Sequence, residues 1–168
     1  MPHSFISASS MSGKTTLCQE IAKAYRNQGF GIIVYDPMDD PDWICDRKFT
    51  DFEAFLDCAY KATRCVLFIE EVGTVIGQWP KPRVEWLGTR ARHWGHRSFF
   101  IGQTPVQISL TMREQCETLF LFKCIKDRAK KWSEEYIDEE LMQATKLQQY
   151  EFIQKTRFKP CKIQKLKI

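Results

Sequence analysis

Near the start of the chain, Ala8-Ser9-Ser10-Met11-Ser12-Gly13-Lys14-Thr15-Thr16 has the spacing of a phosphate-binding loop. The pattern Gly-x4-Gly-Lys-[Ser/Thr] is intact at Gly13-Lys14-Thr15, with Ala8 where the opening glycine belongs. In such a loop the backbone N–H groups of residues 8–16 wrap a β-phosphate, Lys14 reaches the β- and γ-phosphates, and the Thr15 hydroxyl ligates Mg²⁺. The expected ligands are ATP and Mg²⁺. A side chain at position 13 would block the close approach of backbone to anion, so glycine belongs there. The flanking residues supply the context the motif demands. Ser4 to Ser7 predicts a short strand, and Leu17, Ile21, Ala24 and Gln28 follow at helical spacing with Tyr25 beside them. The N-terminus of that helix adds a field that favours a bound anion.

A second chemical element is Ile69-Glu70-Glu71, where an apolar run ends in adjacent carboxylates and resembles a Walker B element. Acids at the C-terminal end of a buried strand face the nucleotide crevice of an open α/β sheet. The usual pair is Asp-Glu, the first acid for the Mg²⁺ shell and the second for polarising the attacking water. Here Glu70 takes the place of the Asp, a departure that Mg²⁺ can absorb through a bridging water. Gln103, at the tip of a later strand, is a candidate for orienting water or sensing the γ-phosphate. Arg90, Arg92, Arg97 and Arg113 are candidates for a finger inserted into a neighbouring subunit's site, Arg92 and Arg113 foremost. Trp79, Lys81 and Arg83, in a loop with Pro80 and Pro82, join stacking to phosphate attraction and are candidate nucleic-acid contacts. His93 and His96 have no metal partner at suggestive spacing.

Positioning these groups requires strands that alternate with helices, the pattern of a parallel α/β sheet. After Ser4–Ser7, the predicted strands are Gly31–Tyr35, Cys65–Ile69, Ser98–Gly102 and Thr118–Lys123, five in all. The third is apolar throughout, as expected of a strand covered on both faces. Helices are predicted over 52–64, 83–94, 109–117 and 127–144, the second with Val84, Leu87, Ala91 and Trp94 as its apolar stripe. The acidic stretch 38–51 reads as a loop, and 150–153 as partly extended.

At 168 residues the chain is expected to be one domain, and no apolar run is long enough to span a bilayer. Seven scattered cysteines, none in a Cys-x-x-Cys pair, point to reduced thiols and a cytoplasm-like compartment. The net charge of +4 has one source. From Lys155 onward there are six basic residues and no acidic one, whereas the first 154 carry 19 basic against 21 acidic groups. The expected organisation is an ATPase domain over 1–154 and a basic tail over 155–168. That tail is either a nucleic-acid contact or a solvated strand whose lysines discourage edge pairing.

In this order, the phosphate loop, Val-Tyr-Asp-Pro (34–37), Leu-Phe-Ile-Glu-Glu (67–71), Thr-Arg-Ala-Arg-His-Trp-Gly-His-Arg (89–97) and Ile-Gly-Gln-Thr-Pro (101–105) resemble one family. Arg113, the strand from Leu119 to Lys123, and Tyr-Glu-Phe-Ile (150–153) continue the order. The resemblance, over roughly residues 4 to 154, is to the FtsK/HerA superfamily of additional-strand P-loop ATPases. It is strongest to the genome-packaging ATPases of tectivirus-like, double-jelly-roll viruses. It implies a twisted, mainly parallel sheet in strand order 5-1-4-3-2 with helices on both faces. It further implies a homo-oligomeric ring, a hexamer, that drives double-stranded DNA into a preformed capsid by ATP hydrolysis. Partners would then include a capsid vertex or portal protein, and the location would be the virion or host cytoplasm. By the same resemblance Lys14 and Thr15 are phosphate and Mg²⁺ ligands, Glu70 the Walker B acid, Glu71 the catalytic base and Gln103 the sensor. Two other readings share the phosphate loop. One is a small-molecule or nucleotide kinase; the other is a nucleotide-dependent virion assembly factor.

Overall fold

Two apolar faces run along each central strand, and both are covered. The computed structural model describes residues 3–168. Strands β1 (His3–Ser7), β2 (Gly31–Tyr35), β4 (Cys65–Ile69), β5 (Arg97–Gly102) and β6 (Cys116–Phe122) pair in parallel. Because successive side chains of a strand point to opposite faces, each strand feeds two cores. Ile33 and Tyr35 of β2 and Leu67 and Ile69 of β4 point to one; Ile32, Val34, Val66 and Phe68 point to the other. This is why the predicted strands read as unbroken apolar runs.

Helix α1 (Lys14–Arg26) covers the second core with Leu17, Cys18 and Ala22. Helices α2 (Phe52–Lys61), α4 (Pro82–Thr89), α5 (Leu110–Gln115) and α6 (Lys126–Tyr136) cover the first, led by Phe55, Leu87, Met112 and Trp132. One further turn, α3 (Val72–Val75), follows β4 directly. Helices thus lie on both faces.

Three more strands extend the sheet at its edges. On one edge β3 (Arg47–Phe49) pairs with β2 inside the stretch expected to be loop; three residues are too few to carry a pattern. On the other edge β7 (Glu151–Thr156) and β8 (Lys162–Lys165) add antiparallel to β6. The full order is β3-β2-β4-β5-β1-β6-β7-β8. Within it the five predicted strands stand in the expected arrangement, fifth-first-fourth-third-second. The boundary expected after residue 154 cuts through β7, and residues 155–168 are no loose basic tail. Lys155 is buried in a 2.5 Å ion pair with Asp138, Arg157 pairs with Glu135, and Leu166 is buried in the core beneath α1. The exposed lysines of β8 are left to guard the sheet's free edge.

Two helices are shorter than the periodicity predicts. The 83–94 pattern is α4 followed by a separate 3₁₀ turn over 91–94, which leaves Trp94 more than a third exposed. The 127–144 pattern stops at Ile137, in the left-handed region at φ 50°, and resumes as a 3₁₀ stretch capped by Asp138. Among the described residues no helix is long and apolar enough to cross a membrane.

The histidines staple the ends of strands together. His96 is fully buried; its Nδ1 accepts from the Cys65 N–H at 3.0 Å, and Nε2 lies 2.9 Å from the Ala59 carbonyl. His3 Nδ1 accepts from the Ser98 N–H at 3.0 Å. Burial, with Arg97 and Arg92 adding, lowers the His3 pKa to about 4. The unfolded chain then binds a proton near pH 6.5 that the folded chain refuses until about pH 4, so stability falls as pH drops through that window. Between pH 7.5 and 5 the loss from His3 alone is expected to be about 2 kcal/mol. Urea unfolding of His3→Asn, which keeps the acceptor without the titration, should show a shallower pH dependence than wild type.

Candidate active site

The C-terminal end of the sheet gathers the chemistry. The phosphate loop leaves β1 at Ser7 and is held on its near side by the Ala8 N–H, which donates to the Gly102 carbonyl at 3.1 Å. Positive φ values in the loop fall at Met11 and Gly13. Position 8 makes no such demand, so alanine serves there. Helix α1 then starts with Gly13 at its cap, no side-chain cap and no acid in the first turn. Its free N–H groups face the loop with nothing competing for them, the condition for an anion to bind. A cavity of about 390 Å³ lies here, lined by Ser9, Ser10, Lys14, Thr15 and Thr16 of the loop and by Tyr150. That volume is in the range of small-ligand sites.

Glu70 and Lys14 meet across this crevice, Lys14 Nζ donating to Glu70 Oε2 at 2.8 Å. The Glu70 carboxyl is buried, and that burial raises its pKa against the pull of Lys14. For Lys14, burial works against the charge, yet the attraction of Glu70 outweighs it and the ammonium titrates above the ordinary lysine value. The extra methylene of Glu relative to Asp sits within this contact. Glu71, next along, is exposed and in the left-handed region at φ 50°, ψ 45°. A non-glycine residue held there stores strain, and such residues cluster at working sites.

Gln103 closes the third side. Its carbonyl accepts from Ser7 Oγ at 2.8 Å and from Trp132 Nε1 at 3.1 Å, and its side-chain Oε1 accepts from Arg128 at 2.8 Å. Gln107 fixes the loop that carries it, accepting at Oε1 from the N–H groups of Gln103 and Thr104. The same side chain lies so close to Gly73 that an added Cβ would stand 2.7 Å from its Nε2. The loops of Glu71 and Gln103 are thereby packed as one unit.

The predicted residues 8–16, 70, 71 and 103 thus lie at the C-terminal ends of the neighbouring strands β1, β4 and β5. The arginines do not. In a parallel sheet the turn before β5 and helix α5 before β6 lie at the N-terminal ends of strands whose C-terminal ends carry the site. Arg92 and Arg113 are therefore roughly 20 Å from their own chain's phosphate loop. Arg92 is exposed on its turn. Arg113 is engaged within its own chain: its guanidinium is held by Glu135 at 3.3 Å, its carbonyl accepts from Arg157 at 3.2 Å, and its side chain is 20% exposed. Releasing it as a finger would break that ion pair and leave Arg157 as the partner of Glu135. Arg83 is likewise engaged, by Glu53 and Asp57 of α2, while Trp79 stands exposed.

Sequence reasoning missed the return of the C-terminal segment to the loop. Tyr150 N–H donates to the Ser12 carbonyl at 3.2 Å, Gln149 Nε2 to Met11 at 3.1 Å, and Leu166 N–H to Tyr150 at 2.9 Å. Only the isolated Tyr-Glu-Phe-Ile strand pattern hinted at it. One consequence is testable. Gly13 has φ +104°, and a Cβ there would stand 2.7 Å from Tyr150 Cδ1. Gly13→Ala should lower nucleotide affinity by roughly 10²-fold, from strain and displacement of Tyr150 together. Titration with a fluorescent ATP analogue measures it. Asp36 was also passed over; it is buried beside Glu70 at the end of β2, and both its carboxylate oxygens accept backbone N–H groups, from Met38 and Asp40.

The donors suit a magnesium–nucleotide complex and not a resident metal. They are hard oxygens, a threonine hydroxyl and carboxylates, too few for an all-protein cage; Mg²⁺ characteristically adds phosphates and waters to one or two carboxylates. The one cluster of three potential ligands among the described residues, Asp138, Glu140 and Cys161, lies elsewhere, and Lys155 already pairs with its Asp138.

No family model and no curated protein matches the sequence. Solved structures do. The genome-packaging NTPase B204 of Sulfolobus turreted icosahedral virus 2, in complex with AMPPCP, superposes with a TM-score of 0.81 at 17% identity, over 99% of this chain and 98% of that one. B204 of Sulfolobus turreted icosahedral virus, described as a DNA-packaging ATPase, gives 0.79 at 18%, over 98% and 97%. The conjugation coupling protein TcpA of pCW3, with ATPγS, gives 0.59 at 13%, over 92% of this chain and 57% of that one. The fold of this chain is therefore the one seen in these genome-packaging NTPases, shared over nearly the whole length of both chains.

Proposed function

We propose that this protein hydrolyses ATP with Mg²⁺ and uses the energy, as a homo-oligomeric ring, to drive double-stranded DNA into a preformed capsid. The observation that carries the reading is the 2.8 Å contact between Lys14 of the phosphate loop and Glu70 at the end of β4. A triphosphate bound by the loop competes with Glu70 for the Lys14 ammonium. Magnesium, when bound with it, offsets charge on the phosphate oxygens. Thr15 and Glu70 are the residues to hold that ion. Glu71 accepts a proton from water, whose oxygen bonds to the γ-phosphorus as the bond to the ADP oxygen breaks. Gln103 fixes the geometry of the attack, and Lys14 steadies the charge leaving with ADP.

The DNA and capsid parts of the reading draw on the viral packaging NTPases, whose fold this chain shares over nearly its whole length. Arg92 is exposed at the opposite end of the sheet from its own loop, which supports a role toward a neighbour's site over one in its own. The ring size proposed is six, with a capsid vertex or portal protein as the docking partner and the virion or host cytoplasm as the location. A kinase is less well supported: adjacent carboxylates at the strand end suit activation of water more than capture of a phosphate acceptor.

The test is ATP hydrolysis by the purified protein with and without linear double-stranded DNA across a salt series, alongside light scattering with ATPγS. The expected result is DNA-stimulated hydrolysis that weakens as salt rises, and nucleotide-dependent oligomers. A protein that stays monomeric and ignores DNA would not be this motor. Rapid phosphorylation of a nucleotide acceptor would favour the kinase instead.

A further inference from the structure

We propose that Arg128 is a positioning residue for hydrolysis in its own chain, setting the Gln103 carboxamide so that it offers N–H groups, not oxygen, to the γ-phosphate end of the crevice. The inference rests on the ATPase reading and adds a residue and a polarity to it. Arg128 lies in the first turns of α6, and its Nη2 donates to Gln103 Oε1 at 2.8 Å. A guanidinium has only donors. Whatever amide orientation is assigned to Gln103, the atom facing Arg128 has to be the oxygen, so the NH₂ group points away from it. Without the arginine nothing in this contact distinguishes the two flips.

The arginine is well set for the task. One helical turn on, Trp132 is fully buried, with Nε1 donating to Ser7 Oγ at 3.0 Å and to the Gln103 carbonyl at 3.1 Å, and its ring centred 4.8 Å from that of Phe5. Residues four apart share a helix face, so α6 holds Gln103 by backbone and side chain together. Among the described residues no carboxylate lies within ion-pair distance of Arg128, and its charge is not cancelled locally. It lines, with Ser9 of the phosphate loop, a cavity of about 840 Å³ that also takes Lys123, Lys126 and Lys146. That arrangement joins the loop, Gln103 and a positive field at one place. A γ-phosphate is the ligand group whose presence this device would report. ADP lacks it.

The test compares Arg128→Ala, Arg128→Lys, Gln103→Ala and the Arg128→Ala/Gln103→Ala double variant. Affinities for ATPγS and for ADP, each with Mg²⁺, are read by competition against a fluorescent nucleotide. Arg128→Ala and Gln103→Ala should each reduce the preference for ATPγS over ADP by roughly tenfold, with ADP affinity within about twofold of wild type. The double variant should lose no more than either single one, because one device has been removed twice. Arg128→Lys, which still donates to Oε1, should keep most of the preference and of kcat. Gln103→Glu, offering oxygen in place of NH₂, should lose it although the pairing with Arg128 survives.

An unchanged ATPγS preference in Arg128→Ala overturns the proposal, and so do additive losses in the double variant. An equal fall in ADP affinity would assign Arg128 a merely structural role; should the alanine variant fail to fold, the lysine and Gln103→Glu variants decide. If wild-type protein binds no nucleotide, the ATPase reading falls and this inference with it. If wild type hydrolyses ATP but Arg128→Ala matches it, the inference alone falls.

Discussion

Lys14→Ala is expected to reduce kcat/KM for ATP by roughly 10³-fold, the loss typical when a preorganised positive contact is removed from a transition state. The ammonium is held 2.8 Å from Glu70 in a crevice where both groups are partly or wholly withdrawn from water. There its field on the phosphates is little screened. The substitution has a second effect that has to be separated from the first. Removing one member of a withdrawn ion pair leaves the other without compensation, a loss of about 3 kcal/mol when the pair is well buried. Burial already raises the Glu70 pKa, so the abandoned carboxyl takes up a proton in part and the destabilisation is smaller than that limit. The double variant Lys14→Ala/Glu70→Gln should recover most of the unfolding midpoint in urea and none of the hydrolysis. Recovery of activity in the double variant, or more than a tenth of wild-type activity in the single one, would mean that Lys14 serves the fold and not the phosphates.

Glu71→Gln should lower kcat by roughly 10²- to 10⁴-fold, the range for loss of a general base, while nucleotide binding is kept or strengthened. Glu71 is exposed, and its side chain is absent from the ion pairs found among the described residues. Removing its charge therefore leaves the unfolding free energy within about 0.5 kcal/mol of wild type. Glutamine preserves shape and hydrogen bonding but accepts no proton at neutral pH. The expected signature is a protein that binds ATP, forms the oligomer and does not turn over. Single-turnover rates with radiolabelled ATP measure it directly. A normal rate would move the base elsewhere, and Gln103, which cannot take a proton, would not replace it.

These two substitutions also divide the readings of the site. A nucleotide-dependent assembly factor tolerates Glu71→Gln but not Lys14→Ala, since it needs binding alone. A motor tolerates neither. A kinase shows the Lys14 effect while depending on an acceptor nucleotide for turnover. Running both variants through the same binding, hydrolysis and oligomerisation measurements separates the three.

What the chain alone determined is local and covalent in origin. The spacing Gly13-Lys14-Thr15 fixes which groups a tight turn can bring to an anion, and the apolar runs 31–35, 65–69 and 98–102 mark strands buried on two faces. Glu70, Glu71 and Gln103 could be placed because each comes at the end of such a run, and strand ends in a parallel sheet share a crevice. Edge elements were less legible. The three residues of β3 carry no period, and β7 and β8 mix lysines with apolar residues because one side of an edge faces solvent. Tertiary structure alone decided the partners that are distant along the chain. Arg113 reads like any finger candidate until α6 brings Glu135 to it, and Arg128 is one cation in a basic run until packing of Trp132 sets it on Gln103. Tyr150 reaches Gly13 only because two antiparallel strands return the chain over the phosphate loop. The physical reason is range: periodicity and turn chemistry act over a few residues, whereas an ion pair or a ring set close against a glycine depends on which surfaces the completed sheet presses together.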